Sequence, residues 1–80
     1  MAWYFFIWTN RALEKIAEHD VTREEVEEVI SFPDESGISR SSGRPFARGY
    51  SSTGRLLFCV YEQHADDVIE PITAYEIDDD

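Results

Sequence analysis

Four residues at alternate positions, Arg44, Phe46, Arg48 and Tyr50, form the most chemically suggestive pattern in this sequence. On an extended strand they share one face, with Pro45, Ala47 and Gly49 on the other. A guanidinium grips a phosphate with two parallel hydrogen bonds, and an aromatic ring offers a face on which a nucleobase stacks. Alternating the two makes a platform for single-stranded RNA, which Arg40 and Arg55 extend from neighbouring strands. The same pattern also fits Phe46 and Tyr50 turned into a core, with the arginines at its rim. His19 and His64 add imidazoles of the kind that exchange protons near neutral pH. Neither belongs to an HxH or HExxH motif and Cys59 is the single cysteine, so no metal and no cofactor is expected. Cys59 lies in an apolar run and reads as an inert core thiol. The serines sit in turn segments without a nucleophile-elbow motif, and there is no Gly-rich phosphate loop.

The chain has 80 residues, 17 of them Asp or Glu and 7 Lys or Arg, for a net charge of −10. That length makes one small domain over residues 1–80, and a hydrophobic fraction of 42% is too high for a disordered acidic tail. Residues 1–35 balance to −6, residues 36–61 to +4 with no acid at all, and residues 62–80 to −8. Local field decides what a surface attracts, so the basic middle third keeps nucleic acid open as a ligand while the total makes that binding weak and salt-sensitive. The apolar stretch at residues 2–8 has no basic segment before it and is too short to span a bilayer, so no membrane association is expected. A lone thiol fits a reducing, cytoplasmic setting.

These groups need elements to hold them. Trp3 to Trp8 is a continuous aromatic and β-branched run, read as a strand. Thr9 then serves as N-cap of a short helix with its core stripe at Leu13, Ile16 and Ala17, ending near His19-Asp20, while Arg11, Glu14, Lys15 and Glu18 face water. Thr22 and Glu25 form a capping box for a second helix with Val26, Val29 and Ile30 inward, stopped by Pro33; its glutamates suit the helix dipole, and Arg23 can pair with Glu27. Beyond Pro33 the period becomes strand-like: a short strand over 37–40, one over 44–50, a central strand over 55–61, a polar loop over 63–67, and a last strand over 68–77 in which Pro71 marks an edge or a bulge. Residues 78–80 read as a solvated acidic tail. The order predicts an α+β fold with one N-terminal strand, two short helices and an antiparallel β-meander. The helices cover either the Leu57/Cys59 or the Leu56/Phe58/Val60 side of the central strand.

The segment from Leu13-Glu-Lys-Ile16-Ala-Glu-His19 through Val21-Thr22-Arg-Glu-Glu25-Val26, followed by Gly43-Arg44, Gly49, Gly54-Arg55-Leu-Leu-Phe-Cys-Val-Tyr61 and Pro71-Ile-Thr-Ala-Tyr75, resembles the BrnT-type toxins of bacterial toxin–antitoxin pairs. The likeness spans nearly the whole chain. It implies a RelE-like fold, metal-independent endoribonuclease activity on RNA and inhibition by a cognate antitoxin protein. Matching position carries over His19, Arg44 and Arg55; the charge pattern alone adds Arg40 and Arg48. In such cleavage the 2′-hydroxyl is the internal nucleophile, so Arg44 and Arg55 would stabilise the phosphate and His19 or Tyr75 would move protons. The chain departs from the family pattern where Glu18 and Asp20 flank His19 in place of a basic residue and a glycine, and where Tyr50 and Tyr75 stand for basic residues. Two other readings stand beside it: a catalytically inactive protein- or RNA-binding module of the same fold, which uses the Arg and aromatic face, and a homodimer joined through the aromatic N-terminal strand.

Overall fold

Both helices are defined by their first residues. The computed structural model describes residues 4–77, so Trp3 and the acidic tail 78–80 lie outside the described residues. Thr9 is extended and accepts a hydrogen bond from the Ala12 N–H at 3.1 Å, opening α1 (Asn10–Glu18). Thr22 opens α2 (Arg23–Ser31) with a full capping box: the Glu25 N–H donates to Thr22 Oγ1, and the Thr22 N–H donates back to Glu25 Oε1. Between them, the Asp20 N–H donates to the Ala17 carbonyl and the Val21 N–H to the Ile16 carbonyl, with Asp20 at φ 58°. This is a Schellman closure around a left-handed residue, sealed by Ile16 and Val21, both buried. Asp20 therefore occupies the backbone conformation that glycine adopts most easily.

Five strands follow the order β1-β5-β4-β3-β2. β2 (Glu35–Ile38), β3 (Pro45–Tyr50), β4 (Leu56–Ala65) and β5 (Val68–Glu76) form the antiparallel meander, and β1 (Phe5–Phe6) joins β5 in parallel. The fold is thus α+β. Three boundaries differ from the expectation. β1 has two residues, because the chain turns away after its bonds to Asp67 and Ile69 to begin the Thr9 cap. β2 starts at Glu35, before the Gly37 start read from the sequence. Residues 63–65 continue β4 instead of looping, since β5 lies alongside to pair with them. The turn shrinks to Asp66 and Asp67. Pro71 sits beside a bulge: the register jumps from Val60↔Thr73 to Tyr61↔Pro71, leaving Ile72 as the extra residue.

The buried cluster joins Ile16, Val26, Val29 and Ile30 of the helices to Ala47, Leu57, Cys59, Ile69 and Ala74 of the sheet. The helices therefore cover the Leu57/Cys59 side of β4. Tyr4, Phe6 and Trp8 pack at the margin of this core, and Trp8 Nε1 donates to Glu27 Oε2 at 2.8 Å, so Glu27 is engaged by Trp8.

One buried carboxylate ties these parts together. Glu25, 7% exposed, accepts from the hydroxyls of Thr22, Ser51 and Thr53 and from Arg55 Nη1 at 3.1 Å. Burial pushes its pKa up; the Thr53 hydroxyl, the Thr22 backbone N–H and the Arg55 charge outweigh that and hold it below the usual carboxylate value. Its contribution to stability is therefore fully present above the unfolded-state value of about 4.3 and is lost as pH falls through the lower folded value. Replacing Glu25 by Ala removes the capping box and strands the Arg55 charge, for a loss of about 3 kcal/mol at pH 7 in urea denaturation. That loss shrinks when the same titration is run near pH 3.

Candidate functional site

The face of the sheet turned away from the helix core carries the functional-looking residues, because alternation along β3, β4 and β5 puts Phe46, Phe58 and Tyr75 there together. Their rings form a row. Phe46 stacks on Phe58 at 4.9 Å between centroids, Phe58 on Tyr75 at 5.6 Å, and Tyr75 meets the His19 ring at 5.8 Å and 51°. The far end of the row rests on Gly37, where an added Cβ would come within 3.2 Å of the Phe46 ring. The row thus crosses the sheet from β2 to the C-cap of α1.

His19 and Tyr75, 56 positions apart in the chain, are brought into contact. Arg55 stands behind them: its Nη1 donates to the Asp20 carbonyl at 2.7 Å and its Nε to Glu76 at 3.2 Å, the residues next to His19 and Tyr75. With Glu25 as third partner, the guanidinium is flanked by two carboxylates, and its Nε and Nη1 are both engaged. It positions His19 and Tyr75 by pinning the neighbouring backbone and strand end, and it offers little free charge to a substrate.

Arg44 lies elsewhere. It precedes β3, whereas Arg55 precedes β4 at the opposite end of the hairpin, about 20 Å away along a six-residue strand. The two arginines do not meet on one phosphate. Arg44 Nε donates to Glu62 at 2.7 Å, which relieves the like-charge pair Glu62↔Glu70, and Glu70 is bound in turn by His64 Nε2 at 2.8 Å. Arg48 pairs across to Glu35 at 3.3 Å. Tyr50, 48% exposed, ends β3, and Arg40 is exposed in the β2–β3 turn. Phe46 offers no broad free face for a base, with Phe58 on one side and Gly37 beneath its edge.

Two residues expected to face water, Arg11 and Lys15, enter the site from α1. Arg11, Lys15 and His19 recur at every fourth position, so they form one row along the helix. Arg11 and Lys15 line a groove of about 360 Å³ with Thr9, Arg44, Glu70 and Ile72. The signal was present as that four-residue spacing; what was missing is which side of α1 borders the sheet. Phe58, the central ring, was read as one of two alternative core faces.

No family model, curated protein or solved structure matches this chain. The site therefore rests on its own geometry. No helix among the described residues is long and apolar enough to cross a membrane, and no group of three or more His, Cys, Asp and Glu side chains among them is arranged to hold a metal ion.

Cys59 faces the helix core between Leu57 and Tyr61, and burial pushes its thiol up to about 12. It is accordingly expected to resist a thiol-specific disulfide reagent at pH 8 in the native state and to react completely within minutes in 6 M guanidinium. Rapid native labelling would show instead that the β4 core opens readily.

Proposed function

We propose that this protein is a metal-independent endoribonuclease of the toxin type, acting in the cytoplasm on single-stranded RNA and inhibited by a cognate antitoxin that covers the same strip. The observation that carries this reading is the His19–Tyr75 contact at the end of a helix whose preceding turns present Lys15 and Arg11. Cleavage of RNA without a metal needs a proton acceptor for the 2′-hydroxyl, a donor for the departing 5′-oxygen and cations to draw the phosphodiester in. His19 and Tyr75 supply the proton-transfer pair; Lys15 and Arg44 lie along the approach. In the step itself the 2′-oxygen attacks phosphorus, its proton passes to one member of the pair, the bond from phosphorus to the 5′-oxygen breaks, and that oxygen receives a proton from the other. The products are a 2′,3′-cyclic phosphate and a free 5′-hydroxyl. Arg55 acts as a positioning residue in this scheme, and Arg40 and Arg48 attract the strand from the rim.

A second reading has its own support: the ring faces in the Phe46–Phe58–Tyr75 row are largely turned on one another, and Arg44 and Arg48 are paired with carboxylates. Those features fit a catalytically silent module of the same fold that holds RNA or a partner protein.

Purified protein incubated with mixed RNA at low salt, without any antitoxin, separates the two. The expected result is cleavage, reduced about 100-fold or more by His19→Ala and by Tyr75→Phe, with thermal transitions unchanged. Intact RNA with the wild type overturns the nuclease and leaves the binding module. Equal cutting by all three proteins overturns the assignment of His19 and Tyr75.

A further inference from the structure

Four cations among the described residues, Arg11, Lys15, Arg23 and Arg40, are unpaired in a chain of net charge −10, and two of them, Arg11 and Lys15, line one groove. Seventeen carboxylates are available, yet among the described residues neither side chain has a hydrogen-bond or ion-pair partner. They stand one turn apart on the same helix row, an arrangement that costs a few tenths of a kcal/mol in mutual repulsion. Glu14 and Glu18, three positions on from each, make no pair with them. Arg44 approaches from β3 and closes the same groove, whose floor includes Ile72, the bulged residue of β5. One carboxylate, Glu70, lines this groove and is engaged by His64, while the neighbouring Glu62 is engaged by Arg44.

We infer that the groove between α1 and the bulge of β5 is a phosphate subsite for a polynucleotide strand, in which Arg11 and Lys15 hold backbone phosphates on one side of the His19–Tyr75 pair. Lys15 and Arg11 lie one and two turns back from His19, about 6 and 12 Å along the axis, so a strand running beside α1 meets a cation at each turn. Ile72 gives a sugar or base an apolar floor between those contacts. The subsite takes its substrate class from the nucleic-acid reading proposed above, but it concerns binding, and its test does not require cleavage.

The experiment uses a 2′-deoxy oligonucleotide, which has no internal nucleophile, and follows affinity by fluorescence anisotropy as a function of salt. Each phosphate neutralised on a single strand contributes about −0.7 to the slope of log K against log salt. The Arg11→Ala/Lys15→Ala double variant is expected to bind more weakly on every sequence tried, with a slope shallower by about 1.4, while Arg11→Lys/Lys15→Arg keeps the wild-type slope. Both positions are exposed on a helix surface, so the thermal transition should not move. An unchanged slope in the double variant overturns the subsite even if RNA is cut, and so does a wild type that does not bind the oligonucleotide. Binding through the groove by a wild type that leaves RNA intact overturns the nuclease and keeps the subsite. A titration with inorganic pyrophosphate tests the other source of phosphate: saturation as tight as that of the oligonucleotide would assign the groove to a small phosphate ligand and overturn the polynucleotide.

Discussion

The fold is organised around the ion pair between Glu25 and Arg55. Glu25 is part of a helix cap, and its remaining lone pairs accept from the β3–β4 turn through Ser51 and Thr53. Arg55 leaves that turn and reaches the α1–α2 connection at the Asp20 carbonyl and the end of β5 at Glu76. Four separate parts of the chain therefore converge on two side chains. Partly buried ion pairs such as this one contribute little to stability compared with an apolar replacement, because desolvation offsets their attraction; in some proteins they favour one arrangement over its rivals. Here that arrangement fixes where α1 ends relative to β5, and so whether His19 and Tyr75 touch. A chain of this size has a small core, built largely of Val, Ile, Leu and Ala, which packs well but tolerates sliding. The polar knot supplies the registration.

Charge is distributed to match. The arginines of the middle segment do not make one undivided basic patch: Arg44, Arg48 and Arg55 are each bound to carboxylates. Among the described residues, Arg11 and Lys15 on α1, Arg23 on α2 and Arg40 in the β2–β3 turn are left without a carboxylate partner. A surface with net charge −10 and a short cationic strip repels polyanions at long range and holds them only at contact.

The parts of this structure that were readable in the sequence are those set by neighbours a few residues apart. Thr9 and Thr22 announce their helices because a cap needs only its own first turn, and Leu57 and Cys59 announce a strand because alternation is local. Long-range pairing was not readable. Nothing near Arg55 points to Glu25, 30 positions earlier, so its charge looked free for a phosphate. Nothing in Gln63 to Ala65 reveals the β5 backbone that extends β4. His19 and Tyr75 were singled out separately, on a resemblance and on chemistry; their contact depends on the parallel docking of β1 and on the packing of α1 against β5, neither of which leaves a mark in composition. The row of Arg11, Lys15 and His19 shows the middle case. Its spacing is plain in the sequence, but a helix has two polar flanks, and only the sheet decides which one borders a groove.

The placement of α1 against β5 has a temporal side as well. The first helix and the last strand meet, so the groove and the His19–Tyr75 contact close long loops, of a span comparable to that of the β1–β5 pairing among the described residues. Contacts of such sequence separation carry a larger loop-closure entropy than the nearer pairings of the meander and α2. During synthesis from the N-terminus, α1 leaves the ribosome long before the strand that completes it. A partly made or C-terminally clipped chain carries the helix, the central strands and most of the core, yet has no assembled site. The topology itself withholds the His19–Tyr75 contact until β5 is in place.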